Sequence, residues 1–210
     1  MEMSDLQETF YCDFSHPAIK DLANKIAGEE TDRRKITEAM FKYVRNYVRF
    51  GCDLVKVKAS ETLTKGYGVC WNKALLLVAL LRCNGIPARM GYNLVKKEFM
   101  KPAFGEEYKT LHDTEKHCFA LVNLNNEWVA VDSTLDPRTY KKFYEPTGVT
   151  WGIEWNLQDS MHLYTENIVG PIKYFEDIDA ALEDDVGYSM PLPAEADSVF
   201  GPRNQRMWQD

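Results

Sequence analysis

Apolar residues change their spacing several times along the chain, and each change predicts an element. At Ile36, Ala39, Met40, Tyr43, Val44, Tyr47 and Val48 they recur at three- and four-residue steps. That period predicts an amphipathic helix opened by Thr31-Asp32, its apolar stripe turned to a core. An earlier helix is expected from Ser15-His16-Pro17, a capping segment followed by an early helical proline, to about Ile26. The spacing then disappears, because every residue from Ala74 to Leu81 is apolar. Such a run reads as a helix buried on all sides, closed by Asn84-Gly85 and Pro87. Cys70 stands at its start, directly after Lys65-Gly66-Tyr67-Gly68-Val69, where two glycines permit a tight turn.

Further on, the period falls to two. Ala88 to Val95 reads as a strand with Arg89, Gly91 and Asn93 on one face. His117 to Leu124 and Glu127 to Thr134 read as a hairpin, with Asn125-Asn126 supplying positive φ for a two-residue turn. In that register Leu124 faces Glu127, so Phe119 opposes Asp132 and His117 opposes Thr134. His117 and Asp132 then share a face as diagonal neighbours, roughly 7–8 Å apart at the backbone. A slip of one residue would separate them. Trp128 falls on this face too, where it is expected to shield the pair from water.

Between these elements, residues 52–65 read as a polar approach to the Cys70 turn. Residues 96–116 are polar and irregular, longer than most connections, and read as a disordered loop or a lid over a site. The aromatic-rich stretch 138–175, with Tyr140, Phe143, Tyr144, Trp151, Trp155, Tyr164 and Tyr174, either completes a core or lines a groove. Residues 1–190 are expected to form one domain. Residues 191–210, with Pro191, Pro193 and Pro202, are expected to be an extended tail.

Composition narrows the function classes. The chain has 210 residues, 45% of them hydrophobic and 27% charged, ordinary for a soluble globular domain. A net charge of −7 argues against a nucleic-acid surface. The longest apolar run is too short to span a bilayer, and the acidic start Met1-Glu2-Met3-Ser4-Asp5 does not read as a signal peptide. Five cysteines, at 12, 52, 70, 83 and 118, include no Cys-x-x-Cys pair. Free thiols in a reducing cytoplasm are expected, rather than a disulfide framework or a metal site.

The candidate chemistry centres on Cys70. A buried cysteine is ordinarily a small apolar filler. On the first turn of a helix, however, the positive end of the macrodipole favours its thiolate. A nucleophile also needs a base and a group to orient the base. The hairpin supplies both, since Asp132 can fix the tautomer of His117 and leave its other ring nitrogen for a thiol. The remaining histidines compete poorly: His16 lies in a cap, His112 in the irregular stretch, and His162 lacks a comparable carboxylate. A metal site of His112, His117 and Cys118 is disfavoured, because His117 and Cys118 point to opposite strand faces.

Three segments resemble the transglutaminase-like superfamily of cysteine enzymes, in that family's order. They are Gly68-Val69-Cys70-Trp71 with its helix through Leu81-Arg82-Cys83-Asn84-Gly85-Ile86-Pro87-Ala88-Arg89, then His117 to Val122, then Glu127 to Thr134. Together they span roughly residues 32–136. The resemblance, to a small bacterial-type member, implies an α+β, papain-like fold. N-terminal helices and a central Cys-bearing helix would pack on an antiparallel sheet. It implies Cys70 as nucleophile, His117 as base and Asp132 as orienter, with no cofactor and no metal. Animal transglutaminases place a tryptophan upstream of the cysteine and papain-type enzymes a glutamine. Here all five tryptophans follow Cys70, and residues 60–69 hold no glutamine. The Cys70 N–H then serves as one oxyanion donor, with Tyr47 or Asn46 as a second and Trp71 and Trp128 in support. Calcium activation does not carry over.

The function so implied is attack on an amide or thioester carbonyl, a thioester acyl-enzyme, then hydrolysis or transfer to an amine. Its partner would be a small-molecule, peptide or carrier-bound acyl substrate, with no nucleic acid and no membrane. Two other readings stay open at this point: arylamine-acetyltransferase-like transfer from an acyl-CoA or carrier thioester, and a non-catalytic binding module that keeps the fold.

Overall fold

The structure, a computed structural model, describes residues 3–149, 155, 156, 158–163, 165–183 and 191–209. Two helices open it. In α1 (Pro17–Ala27) the cap is His16, whose Nδ1 accepts from the Ala18 N–H at 3.3 Å. In α2 (Arg33–Tyr47) the Asp32 carboxylate accepts from the Arg34 N–H at 2.9 Å. The short strands β1 (Arg49–Phe50) and β2 (Tyr67–Gly68) pair in parallel. Between them the polar approach forms a helix, α3 (Ala59–Lys65), with the Glu61 carboxylate accepting from the Lys58 N–H at 3.0 Å. Helix α4 (Cys70–Cys83) follows. Its Leu75, Leu76, Leu77, Leu80 and Leu81 are fully buried, so each contributes on the order of 1.5–3 kcal/mol of burial.

Strands β3 (Ala88–Lys96), β4 (Thr114–Leu124), β5 (Glu127–Val131) and β6 (Ile168–Tyr174) make one antiparallel sheet in the order β5-β4-β3-β6. Helices set against an antiparallel sheet make this an α+β fold. The apolar face of the hairpin, Cys118, Ala120, Val122, Leu124, Val129 and Val131, joins the α4 leucines in one core. On the opposite face Phe119, Leu121 and Ala130 form a small cluster with Trp128.

Two regions depart from expectation, and the aromatic-rich stretch resolves between its two alternatives. Residues 96–116 are not an open loop: 97–110 fold into short helical turns, including α5 (Lys101–Phe104), that pack Phe99 and Met100 inward, and 114–116 belong to β4. The aromatic-rich stretch mostly completes the core. Tyr140, Phe143 and Tyr144, just after the single turn α6 (Pro137–Thr139), join a second apolar cluster, and Trp155 packs edge-on to Phe41. Trp151 and Tyr164 lie outside the described residues.

The largest correction concerns the end of the chain. After a short helix α7 (Ile178–Glu183), residues 196–208 are not an extended tail but a helix, α8 (Ala196–Trp208), with Pro202 inside it. Proline removes one helical hydrogen bond, yet tertiary contacts outweigh that loss. Asn204 accepts from the Cys52 N–H at 2.7 Å and donates to the Cys52 carbonyl at 2.9 Å. The Trp208 indole N–H donates to the Phe50 carbonyl at 2.9 Å.

Candidate active site

The turn before α4 is built by its two glycines for different reasons. Gly66 adopts φ 71°, a left-handed conformation that ends α3. Gly68 is needed for space, since a Cβ there would lie 2.6 Å from Asn72 Cβ. Asn72 reaches back to accept from the Val69 N–H at 2.9 Å and donates to the Leu54 carbonyl at 2.9 Å. It thereby caps the helix and ties the 52–55 segment to it. Cys70 is the first residue of α4, buried, and borders a cavity.

The hairpin takes the predicted register. Asn125 and Asn126 have φ of 59° and 69°, and Leu124 pairs Glu127, Val122 pairs Val129 and Ala120 pairs Val131. Asp132 follows directly, and its Oδ2 lies 2.6 Å from His117 Nε2, with both residues 1% exposed. Asp132 Oδ1 accepts from the Thr134 N–H at 3.0 Å, while the Leu163 N–H points at Oδ2 from 3.4 Å. Burial alone would disfavour the imidazolium. The Asp132 carboxylate and the neighbouring Cys70 thiol outweigh it and raise the His117 pKa above its ordinary 6.5. Burial likewise works against a charged Asp132, but the His117 charge and the Thr134 hydrogen bonds hold its pKa below 3.8.

Cys70 and His117 both line a cavity of about 420 Å³. One wall is Phe50, Cys52, Asp53 and Val55; another is Phe99, Phe104, Leu111 and Glu115 from the 96–116 segment. Helix α8 contributes Phe200 and Arg203. Arg203 pairs with Glu107 at 2.8 Å and Arg206 with the same carboxylate at 2.5 Å, joining two sides of the cavity.

A comparison with known families decides what kind of protein this is. The transglutaminase-like superfamily matches residues 20–133, more than half of the chain and including Cys70, His117 and Asp132. The chain belongs to that superfamily. Membership supports a cysteine enzyme in general. Among solved structures, a candidate cysteine protease from Cytophaga hutchinsonii is similar at 25% identity and a TM-score of 0.49, over 66% of this chain and 43% of that one. A candidate protease from Parabacteroides distasonis ATCC 8503 is 11% identical, with a TM-score of 0.42, over 56% of this chain and 23% of that one. A TGase is 16% identical, with a TM-score of 0.40, over 65% of this chain and 34% of that one. The chain thus spans less than half the length of each. No curated protein matches it.

Within this transglutaminase-like chain, Cys70, His117 and Asp132 come together, and the expected supporting residues mostly do not. Tyr47 is 72% exposed and leans on Tyr43, with ring centroids 5.3 Å apart. Asn46 is exposed and accepts from Arg45 Nε at 2.9 Å. Both sit on the last turn of α2, away from the cavity lining, so neither is set to hold an oxyanion. Trp71 borders the cavity but commits its indole to Phe175, stacked at 5.2 Å. Trp128 shares the face of His117 as predicted, yet it packs under Arg89, whose guanidinium lies 4.4 Å from its ring. Phe99 and Phe119, 6.0 and 6.3 Å from the imidazole, flank His117 instead.

Several cavity residues escaped the sequence reading, among them Asp53, Glu115, Phe200 and Arg203. Phe200, Asn204 and Met207, all buried, do recur at helical steps, and that signal was outweighed by the prolines around them. Burial raises the pKa of Cys12 to about 12 and of Cys52 to about 11, and pushes Cys118 upward as well. Lys73, one turn after Cys70, is fully buried and donates to the Val48 carbonyl at 2.6 Å. Burial lowers its pKa to about 7, against the opposing pull of Asp136 and Asp132. Among the described residues, no group of three or more His, Cys, Asp or Glu side chains is arranged to hold a metal ion.

Proposed function

We propose that this protein is a cysteine enzyme acting on amide or thioester carbonyls through a thioester acyl-enzyme. The observation that carries the reading is the buried 2.6 Å contact between His117 and Asp132 beside Cys70 at the mouth of α4. His117 takes the Cys70 proton, and Asp132 stabilises the imidazolium that results. The thiolate attacks the carbonyl carbon and forms the C–S bond, with the electron pair moving onto oxygen. The Cys70 N–H, at the positive end of α4, faces that developing charge. Collapse of the intermediate expels an amine or thiol that carries away the His117 proton. Water or an amine, deprotonated by His117, then attacks the thioester, giving hydrolysis or acyl transfer.

The cavity, about 420 Å³, has room for a peptide side chain, a small acyl donor or the end of a carrier arm. All five cysteines are unpaired, which supports a reducing compartment such as the cytoplasm. No helix among the described residues is long and apolar enough to cross a membrane. Intact-protein mass spectrometry after exposure to peptide, acyl-CoA and carrier-thioester panels tests the reading. A mass adduct on Cys70 that is absent from Cys70→Ala is expected, and its donor names the substrate class. No adduct from any panel, with His117 and Asp132 intact, would leave the chain a binding module.

A further inference from the structure

Glu115 is the cavity residue that the proposed reaction leaves without a task. It is 2% exposed and lines the same cavity as Cys70 and His117. It lies two residues before His117 on β4, so the two side chains share a strand face about 7 Å apart along the backbone. The other charges lining this cavity are matched. Asp53 has Lys65 at 2.9 Å, and Arg203 has Glu107 at 2.8 Å. Glu115 has only His112, accepting from its N–H at 2.9 Å with the ring nitrogen at 3.5 Å. Among the described residues no lysine or arginine pairs with it.

A carboxylate withdrawn from water and left without a full counter-charge is costly unless something that binds there supplies one. Burial accordingly raises the Glu115 pKa, an effect its two contacts with His112 only partly offset. The cavity that Glu115 shares with the thiol is also lined by Phe99, Phe104, Leu111 and Val55, apolar side chains suited to an aliphatic stem.

We propose that Glu115 is the specificity residue of this cavity and receives a primary ammonium group at the end of an aliphatic chain of the acyl donor. The inference rests on the reading of the cavity as a substrate site, and it commits that site to cationic donors over neutral ones. A competing view is that Glu115 merely caps the turn at His112. Glu115→Gln separates the two, because its amide oxygen can still accept from the His112 N–H while the charge is lost.

The experiment is calorimetric titration of the full chain with pentylamine and with 1-pentanol, repeated on Glu115→Gln. Pentylamine is expected to bind at least tenfold more tightly than pentanol, and Glu115→Gln to erase that preference. Equal binding of the two, binding of neither, or a preference that survives Glu115→Gln would overturn the proposal. Should Glu115→Gln fail to fold, protection decides: pentylamine but not pentanol must slow iodoacetamide alkylation of Cys70 in the unaltered protein. Failure of the two readings is distinguishable. An amine preference without any acyl adduct on Cys70 removes the enzyme reading and leaves Glu115 an ammonium site with no acyl donor, whereas an adduct without amine preference removes the subsite alone.

Discussion

On one face of the β4–β5 hairpin, Cys118, Ala120, Val122, Leu124, Val129 and Val131 meet the leucines of α4. On the other, near the open end, Glu115, His117 and Asp132 are buried just as deeply but are polar. Burying the first set stabilises the fold in proportion to area. Burying the second costs about 1–3 kcal/mol for each group left unpaired, so its members hold together only through specific partners. Two stretches of one hairpin thus reach the same burial for opposite reasons: one makes the core, and the other, at the open end of a face that is otherwise apolar, is stable only as an organised site.

Alkylation provides the sharpest separation of the two. Iodoacetamide is expected to label Cys70 first in the folded protein, and Cys12, Cys52 and Cys118 only on unfolding, since burial holds those thiols protonated. His117→Ala should slow labelling of Cys70 by about 100-fold or more, the scale of a lost general base. Equal labelling of all five thiols in the folded state would sink the assignment. Leu77→Ala, on the fully buried body of α4, should do the reverse. It is expected to cost about 2–5 kcal/mol in denaturant unfolding while leaving the Cys70 labelling rate of the folded fraction unchanged.

A pH series probes the polar face alone. The folded His117 pKa is raised from 6.5, so its stabilisation is complete below that value and is lost as pH rises through the folded pKa. The folded Asp132 pKa is lowered from 3.8, so its stabilisation is present above that value and is lost as pH falls through the folded pKa. The stability gap between the natural protein and Asp132→Asn should therefore be widest between pH 3.8 and pH 6.5 and shrink on both sides. A gap that does not vary with pH would show that the pair is not charged. The smallest effect is expected at Tyr47→Phe, an exposed hydroxyl outside both faces: within about 0.5 kcal/mol in stability, with no change in labelling. A marked loss of labelling there would show that Tyr47 bears on the Cys70 thiol after all.

Much of this was legible in the residue order. The stripe from Ile36 to Val48, the apolar block from Ala74 to Leu81 and the Asn125-Asn126 turn are local signals, and each produced its element. His117 and Asp132 were legible because strand period and turn length are local too. Glu115 could not be read, since it falls in the polar stretch 96–116, where an acid looks the same whether it meets water or a cavity, and only the structure extends β4 back to Thr114. Helix α8 was hidden for a related reason. The prolines in and before it favour an extended chain locally, and the distant backbone groups of Phe50 and Cys52, at and just after β1, supply the bonds that outweigh them.

The order of residues was enough to define the superfamily, the helix that begins at Cys70, and the shared face of His117 and Asp132. Those depend on contacts within a few residues or across one tight turn. The tertiary structure alone decided that residues 96–116 and α8 wall the cavity, that Tyr47 and Asn46 lie outside it, and that Glu115 lines it with His112 as its partner. Such facts arise where segments far apart in the chain exclude water together, and no local period records which segments those will be.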